Sequence, residues 1–198
     1  PDLCAVRDDK SKNLAVSLII DWIKRNKSWR KNTWRPEITG SRLANWVKSY
    51  EFLTKGDDQY FESIFYSALV KQSIHLHRTF LRTEAGAGRL AASKGLVFCG
   101  IALPDSDNYL ISGLDCFERQ IRKLVFPDGG HVSRNPKIQL DTLLDVVEIK
   151  LALNLANIKA PVWLETIMER MAPMLKAMQH GDGGLAVFNG GSIGDPRK

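Results

Sequence analysis

Cysteine is scarce in this chain and odd in number: Cys4, Cys99 and Cys116 show none of the short spacings that hold a metal. Neither a disulfide framework nor a zinc site is indicated. No apolar run reaches the ~18 residues of a membrane-spanning helix. No basic-then-apolar signal segment opens the chain at Pro1. Gly-x-Ser-x-Gly elbows and P-loops are absent, and Gly86-Ala87-Gly88 lacks the preceding strand and third glycine of a dinucleotide fingerprint. Of the 4 histidines, His75 and His77 lie two apart in a helical pattern, on different faces and without metal-ligand spacing. The expectation is therefore no metal and no cofactor. Alternating strand patterns are missing too, apart from the short run Leu185-Ala186-Val187-Phe188.

What is present is enough for a core. The chain has 198 residues, 44% of them hydrophobic, and one continuous helical domain is the simplest reading. A formal charge of +6 favours an anionic partner: an acidic polysaccharide, a nucleic acid or an anionic membrane surface. Much of that charge is local, in Lys24, Arg25, Lys27, Arg30, Lys31 and Arg35, interleaved with Trp29 and Trp34. Such a run reads either as a nucleic-acid-binding surface or as a solvated inter-helix loop whose tryptophans pack onto the body. Cys99 and Cys116 fall in apolar helical patterns and read as small core residues.

Helical periodicity runs from about Lys10 to Arg25 behind a cap at Asp8 or Asp9, with Leu14, Val16, Ile19, Ile20 and Ile23 on the apolar side. Thr39 or Ser41 is expected to cap a second helix that stops near Lys55-Gly56. Asp57-Asp58 start the longest one, which ends by Ala85-Gly86-Ala87-Gly88. Leu90 to Leu103 is almost wholly apolar or small and reads as a helix buried on most sides, with Pro104-Asp105-Ser106-Asp107 breaking it and capping the next. That next helix presents Leu110, Leu114, Phe117, Ile121, Leu124 and Val125. Pro136 begins another, with Ile138, Leu140, Leu143, Leu144, Val147, Leu151 and Leu155 as its apolar set. Pro161 opens the last, where Trp163, Ile167, Met171, Met174 and Leu175 share a face and Pro173 predicts a kink. About seven helices in successive antiparallel pairs follow, as a solenoid or as an α/α toroid.

Two of the turns between these helices are alike: Pro127-Asp128-Gly129-Gly130-His131 and His180-Gly181-Asp182-Gly183-Gly184. Asp-Gly-Gly after a helix supplies the φ > 0 residue that ends it, and its recurrence some fifty residues on fits stacked helix pairs. Each turn carries a histidine and a carboxylate. An ordinary imidazole pKa of about 6.5 suits His131 to general-base work, or it is a structural histidine. Arg134 can neutralise a carboxylate with a bidentate contact, or pair with Asp128 or Asp141. Asn135 before Pro136 is a good N-cap, and Asp128 serves its own turn through an Asx bond. His180 and Asp182 repeat the arrangement, and Asn189 follows close behind.

The stretch Leu124-Val125-Phe126-Pro127-Asp128-Gly129-Gly130-His131-Val132-Ser133-Arg134-Asn135-Pro136 resembles the heparinase II/III-like polysaccharide lyases, bacterial branch. Arg170 to Leu175 and His180 to Gly190 resemble the segment where such proteins leave their helical toroid. Trp34-Arg35-Pro36 and Arg42-Leu43-Ala44-Asn45-Trp46 are similar to its start. The resemblance implies an all-α fold, an incomplete α/α toroid of antiparallel helix pairs, over residues 1–184. Residues 185–198 would then begin a linker into a C-terminal β-sandwich, and with its Gly-rich end the chain reads as a piece of a longer protein. It also implies an acidic, uronate-containing polysaccharide as partner and β-elimination as reaction. A periplasmic or cell-envelope place is suggested by the resemblance alone. The expected catalytic residues are His131, Arg134 and His180, and the expected substrate-binding residues are Asp128, Asn135, Asp182 and Asn189, with the isolated piece nearly inactive. The chain departs from the family at Ala87 and Gly88, where an Asn-His pair would fall, and at Ile138 and Gln139, where many members have Tyr-His. A catalytically inactive glycan-binding or scaffold domain, and a basic α-solenoid binding nucleic acid, are the alternatives.

Overall fold

The computed structural model describes residues 8–56 and 58–190. Cys4, Asp57 and the expected linker beyond Gly190 lie outside the described residues. Eight α-helices occur among the described residues: α1 (Asp9–Arg25), α2 (Pro36–Lys48), α3 (Tyr50–Thr54), α4 (Gln59–Thr79), α5 (Ala87–Ala102), α6 (Asp107–Leu124), α7 (Pro136–Leu155) and α8 (Val162–Ala177), with a 3₁₀ turn at Phe80–Arg82. The all-α expectation holds. No strand forms among the described residues: Leu185, in the run read as strand-like, makes one isolated bridge to Gln179, because no second strand lies alongside.

Several boundaries follow from their caps. Asp8 accepts from the Ser11 N–H and starts α1. Asp58 accepts from the Phe61 N–H and starts α4. α2 corrects the sequence reading. It begins at Pro36, whose missing N–H costs nothing in the first turn. Thr39 instead lies buried inside the helix and accepts from Arg42. Ser106 turns its hydroxyl back onto the carbonyls of Cys99 and Gly100 at 3.3 Å, so it closes the end of α5.

The chain divides into two compact units, Pro1–Cys116 and Phe117–Lys198. In the first, Leu43, Phe61, Phe65, Leu76 and Leu96 are fully buried. Trp46 joins them, edge-on to Trp22 at 5.6 Å and tilted on Phe65 at 5.0 Å. Fully burying each large side chain stabilises the fold by about 1.5–3 kcal/mol. The most extensive helix packing is between α2 and α5, which are not neighbours in sequence. Glycine permits it: a Cβ on Gly40 would stand 2.3 Å from the Ala91 carbonyl oxygen, and one on Gly95 only 2.4 Å from the Gly40 Cα. Backbone therefore meets backbone at this crossing. As expected, α5 is buried on most sides, and Cys99 lies within it, its thiol pushed up to about 12 by burial.

In the second unit, α7 packs on α8, with Ile149, Leu153, Leu164 and Met171 fully buried and the Phe117 and Trp163 rings stacked at 6.2 Å. Here the face read from sequence is the wrong one. α7 buries Gln139, Thr142, Val146, Ile149 and Leu153, whereas Leu144, Leu151 and Leu155 are exposed. Apolar residues cover opposite sides of this helix, so periodicity could not choose between them. α8 continues through Pro173.

Candidate functional site

The first Asp-Gly-Gly turn is a short hairpin-like loop on the end of α6. The Phe126 N–H donates to the Gly130 carbonyl and the Gly129 N–H to that of Phe126, both at 2.9 Å, while Val125 and His131 form an antiparallel bridge. Gly129 sits at φ 83, and a Cβ there would lie 1.9 Å from the Arg170 carbonyl oxygen of α8. Both the left-handed backbone and the close approach exclude a side chain.

Asp128 spans the turn as expected, accepting from the Gly130 N–H at 2.8 Å and from Arg134 Nη1 at 3.0 Å. These partners, the Gly130 amide first, hold its carboxyl below the usual carboxylate range. Arg134, itself at φ 51, lays its guanidinium 4.7 Å from the Phe126 ring centroid. Its pairing with Asp128 is half-exposed, so the guanidinium can be recruited by another carboxylate at little cost.

His131 is only 5% exposed. Its Nδ1 accepts from the Ser133 N–H at 3.1 Å and lies 2.8 Å from the Ser133 hydroxyl. A backbone N–H can only donate, so Nδ1 keeps its lone pair and the neutral ring carries its proton on Nε2. Burial lowers the imidazole below its ordinary 6.5, which favours that neutral form. What the neutral ring has left to offer, through Nε2, is a hydrogen-bond donor, whereas a general base needs a free lone pair.

Asn135 caps α7, accepting from the N–H groups of Lys137 and Ile138 at 2.9 and 3.1 Å. Its Nδ2 donates to the Asn189 carbonyl at 3.0 Å, and Asn189 Nδ2 donates to the Arg134 carbonyl at 3.1 Å. The segments after the two turns are thus stitched together.

The second turn has the same backbone. His180 N–H donates to Gly184, Gly183 N–H to His180, and Ala186 N–H to Met178, matching the Phe126, Gly129 and Val132 bonds one for one. Asp182 accepts from the Gly184 N–H at 2.9 Å. Superposed on these bonds, Asp182 corresponds to Asp128 and Asn189 to Asn135, but His180 corresponds to Phe126 and His131 to Leu185. The histidines are not repeats of each other. The second turn is also open: a Cβ on Gly181 or Gly183 would meet nothing within 4 Å.

Sequence reasoning missed Gln139, whose side chain is wholly buried. Oε1 accepts from the His131 N–H at 2.7 Å, and Nε2 donates to the carbonyls of Gly129 and Met171 at 2.9 and 3.2 Å. It clamps the turn to α8. Its position, four residues past the capping asparagine and one turn into α7, was the available signal. Ile138 beside it is partly exposed at 38%.

In the first unit, Ala87 and Gly88 form the first turn of α5 and carry no group able to move a proton. His75 Nε2 donates to the Trp34 carbonyl at 3.0 Å, and His77 packs on Tyr109 at 4.6 Å. Within the basic segment the tryptophans part company: Trp34 is buried, as expected, whereas Trp29 is 61% exposed. Arg25 pairs with Asp21 and Arg35 with Glu37. Lys24, Arg30 and Lys31 are exposed and have no carboxylate partner among the described residues. Arg42 is partly buried, donating to Gln72, Thr33 and Thr39 and stacking 4.0 Å from the Trp22 ring centroid. Burial lowers its guanidinium to about 10, and no carboxylate among the described residues offsets it. Among the described residues no cluster of three metal-ligating side chains occurs, and no helix is long and apolar enough to cross a membrane.

The sequence profile described as "Heparinase II/III N-terminus" matches residues 4–195. The chain belongs to the heparinase II/III family. FtsZ-localized protein C of Caulobacter vibrioides is 28% identical over the whole of this chain, which covers 34% of that protein. Among solved structures, heparinase III matches with a TM-score of 0.79 at 13% identity, covering 96% of this chain and 31% of that one. The heparan sulfate lyase HepC of Pedobacter heparinus matches at 0.71 and 19% identity, covering 97% and 32%. At these identities the likeness shows the fold, and the all-α fold class expected of a heparinase II/III member, an incomplete toroid of helix pairs, stands on it. The chain spans about a third of the length of these relatives.

Proposed function

We propose that this chain is the helical part of a longer heparinase II/III-family protein that binds an acidic, uronate-containing polysaccharide, and that its own residues supply no base for cleaving it. β-Elimination needs a base at C5, an acid at O4 and a donor that neutralises the uronate carboxylate. One observation carries the reading: the best-placed imidazole, His131, spends its Nδ1 lone pair on the Ser133 N–H and presents a donor instead. Ala87, Gly88, Ile138 and Gln139 offer no substitute. In this reading Arg134 meets a uronate carboxylate by exchanging Asp128 for it, and His131 donates through Nε2. Asp128 and Asn135 hold the turn that presents them. His180, Asp182 and Asn189 lie on the exposed second turn, within reach of sugar hydroxyls. The β-sandwich implied by the family resemblance would form the other wall of the cleft.

The fold likeness to a heparan sulfate lyase favours a second reading, β-elimination by the whole protein with a base from outside this chain. The relative whose name places it with FtsZ supports a binding role, since localisation requires no base. Full-length protein incubated with glycosaminoglycans, alginate and bacterial uronate polymers decides between these. Retention of polymer without ultraviolet absorbance from unsaturated uronates is the expected result. Absorbance that falls 100-fold or more in His131→Ala would make His131 the base and overturn the proposal. Absorbance insensitive to that change and to His180→Ala would establish the second reading.

A further inference from the structure

The first unit holds a cavity of about 400 Å³ between α1 and α4, and the proposed glycan chemistry of the second unit does not use it. Trp22 and Trp34 form indole walls, and Ser63 and Ser67 add hydroxyls one helical turn apart. Among the described residues, the charged side chains lining it are Lys27 and Lys71, both exposed, and no carboxylate lines it. Lys71 Nζ donates to the Lys27 carbonyl, which holds the ammonium group near the wall. Behind Trp22 stands Arg42, without a carboxylate partner among the described residues. Lys24 in the last turn of α1, and Arg30 and Lys31 in the segment after it, have none among the described residues either. Positive charges that lack counter-charges at a partly enclosed, low-dielectric site give a potential that focuses on an anion. Flat apolar walls with a few polar groups suit a compact ring better than a bare inorganic ion.

We propose that this cavity binds a carboxylate carried on a sugar-sized ring, a single acidic monosaccharide unit. The choice of a sugar rests on the glycan-binding reading above; the choice of an acidic ligand rests on the cavity's own charges. Ammonium groups on Lys27 and Lys71 meet the carboxylate through charge-assisted hydrogen bonds. The serine hydroxyls meet the ring hydroxyls, and an indole covers the ring's apolar face.

The test is a titration of the full chain with sodium glucuronate, read by tryptophan fluorescence and by the indole N–H resonances, with glucose and N-acetylglutamate alongside. Trp29→Phe removes the signal of the exposed indole. Saturable shifts of the Trp22 and Trp34 indoles are expected with glucuronate and not with glucose. Lys71→Met, and separately Lys27→Met, should each weaken binding about tenfold while leaving the unfolding midpoint unchanged. Equal responses to glucose and glucuronate, no response to either, or unaltered binding in both variants would overturn the proposal. Tighter binding of N-acetylglutamate would also overturn it, in favour of an acidic peptide side chain. Polymer retention with a silent cavity sinks this inference alone; glucuronate binding without polymer retention sinks the glycan-polymer reading and leaves the cavity standing.

Discussion

The two Asp-Gly-Gly turns share one backbone and differ in nearly everything around it. The first is walled in by α8, roofed by Gln139 and tied to Ser133 through an imidazole. The second has the same carbonyl and amide pairings, the same Asx bond from its aspartate and a glycine at φ 89, yet Gly181 and Gly183 meet open space. Backbone geometry is set by Asp-Gly-Gly itself, whereas the part a turn plays is set by what packs on it. A histidine one residue past the glycines becomes a buried anchor in the first turn. A histidine two residues before the aspartate in the second stays at the surface.

Substitutions can break this comparison, and the sharpest is at the paired glycines. Gly129→Ala combines a left-handed φ with a methyl 1.9 Å from a backbone oxygen, and should cost more than about 3 kcal/mol in urea unfolding. Gly183→Ala carries the φ penalty alone, about 1 kcal/mol. Equal losses would end the claim that packing separates the turns. Gln139→Ala comes next, since it orphans the His131 N–H and two carbonyls at once. A loss of about 2–4 kcal/mol is expected, together with faster amide exchange at His131 specifically. Asn135→Ala removes a cap and should cost about 1 kcal/mol. Asn189→Ala, in an exposed segment, should cost less than half of that in the same assay, with α7 left intact by amide exchange.

The buried imidazole adds a pH dependence. Its folded pKa lies below its unfolded one, so the unfolded state binds the extra proton. Stability is therefore complete above about pH 6.5 and declines as pH falls below it. A Tm series from pH 7.5 to 5 should show a slope that His131→Gln flattens. The smallest effect belongs to Asp128→Asn: the amide oxygen still accepts from Gly130, and only an exposed ion pair is lost. A barely displaced thermal midpoint is expected.

Much of this was legible in the sequence. Asp8, Asp58 and Asn135 cap where their spacing places them, and Phe117, Ile121, Ile167 and Met171 are in the core as periodicity requires. The failures have separate causes. α7 is apolar on two sides, so its exposed leucines were indistinguishable from its buried residues. Thr39 and Ser41 look like caps, but a proline five or fewer residues earlier had already supplied the helix start. The non-equivalence of His131 and His180 was available by aligning the Asp-Gly-Gly triplets, and was hidden by attending to the histidines. The lone pair on His131 was not available, because it depends on how Ser133 folds back over the ring.

The crossing of α2 and α5 has a consequence for descent. Proteins drift by trading volume across a contact, one side chain growing as its neighbour shrinks. Gly40 faces Gly95 with no side chain to surrender on either helix, so neither position has a compensating partner. A lineage that fills one of them must spread the two helices along their length, and variation will collect at every other contact of that unit first.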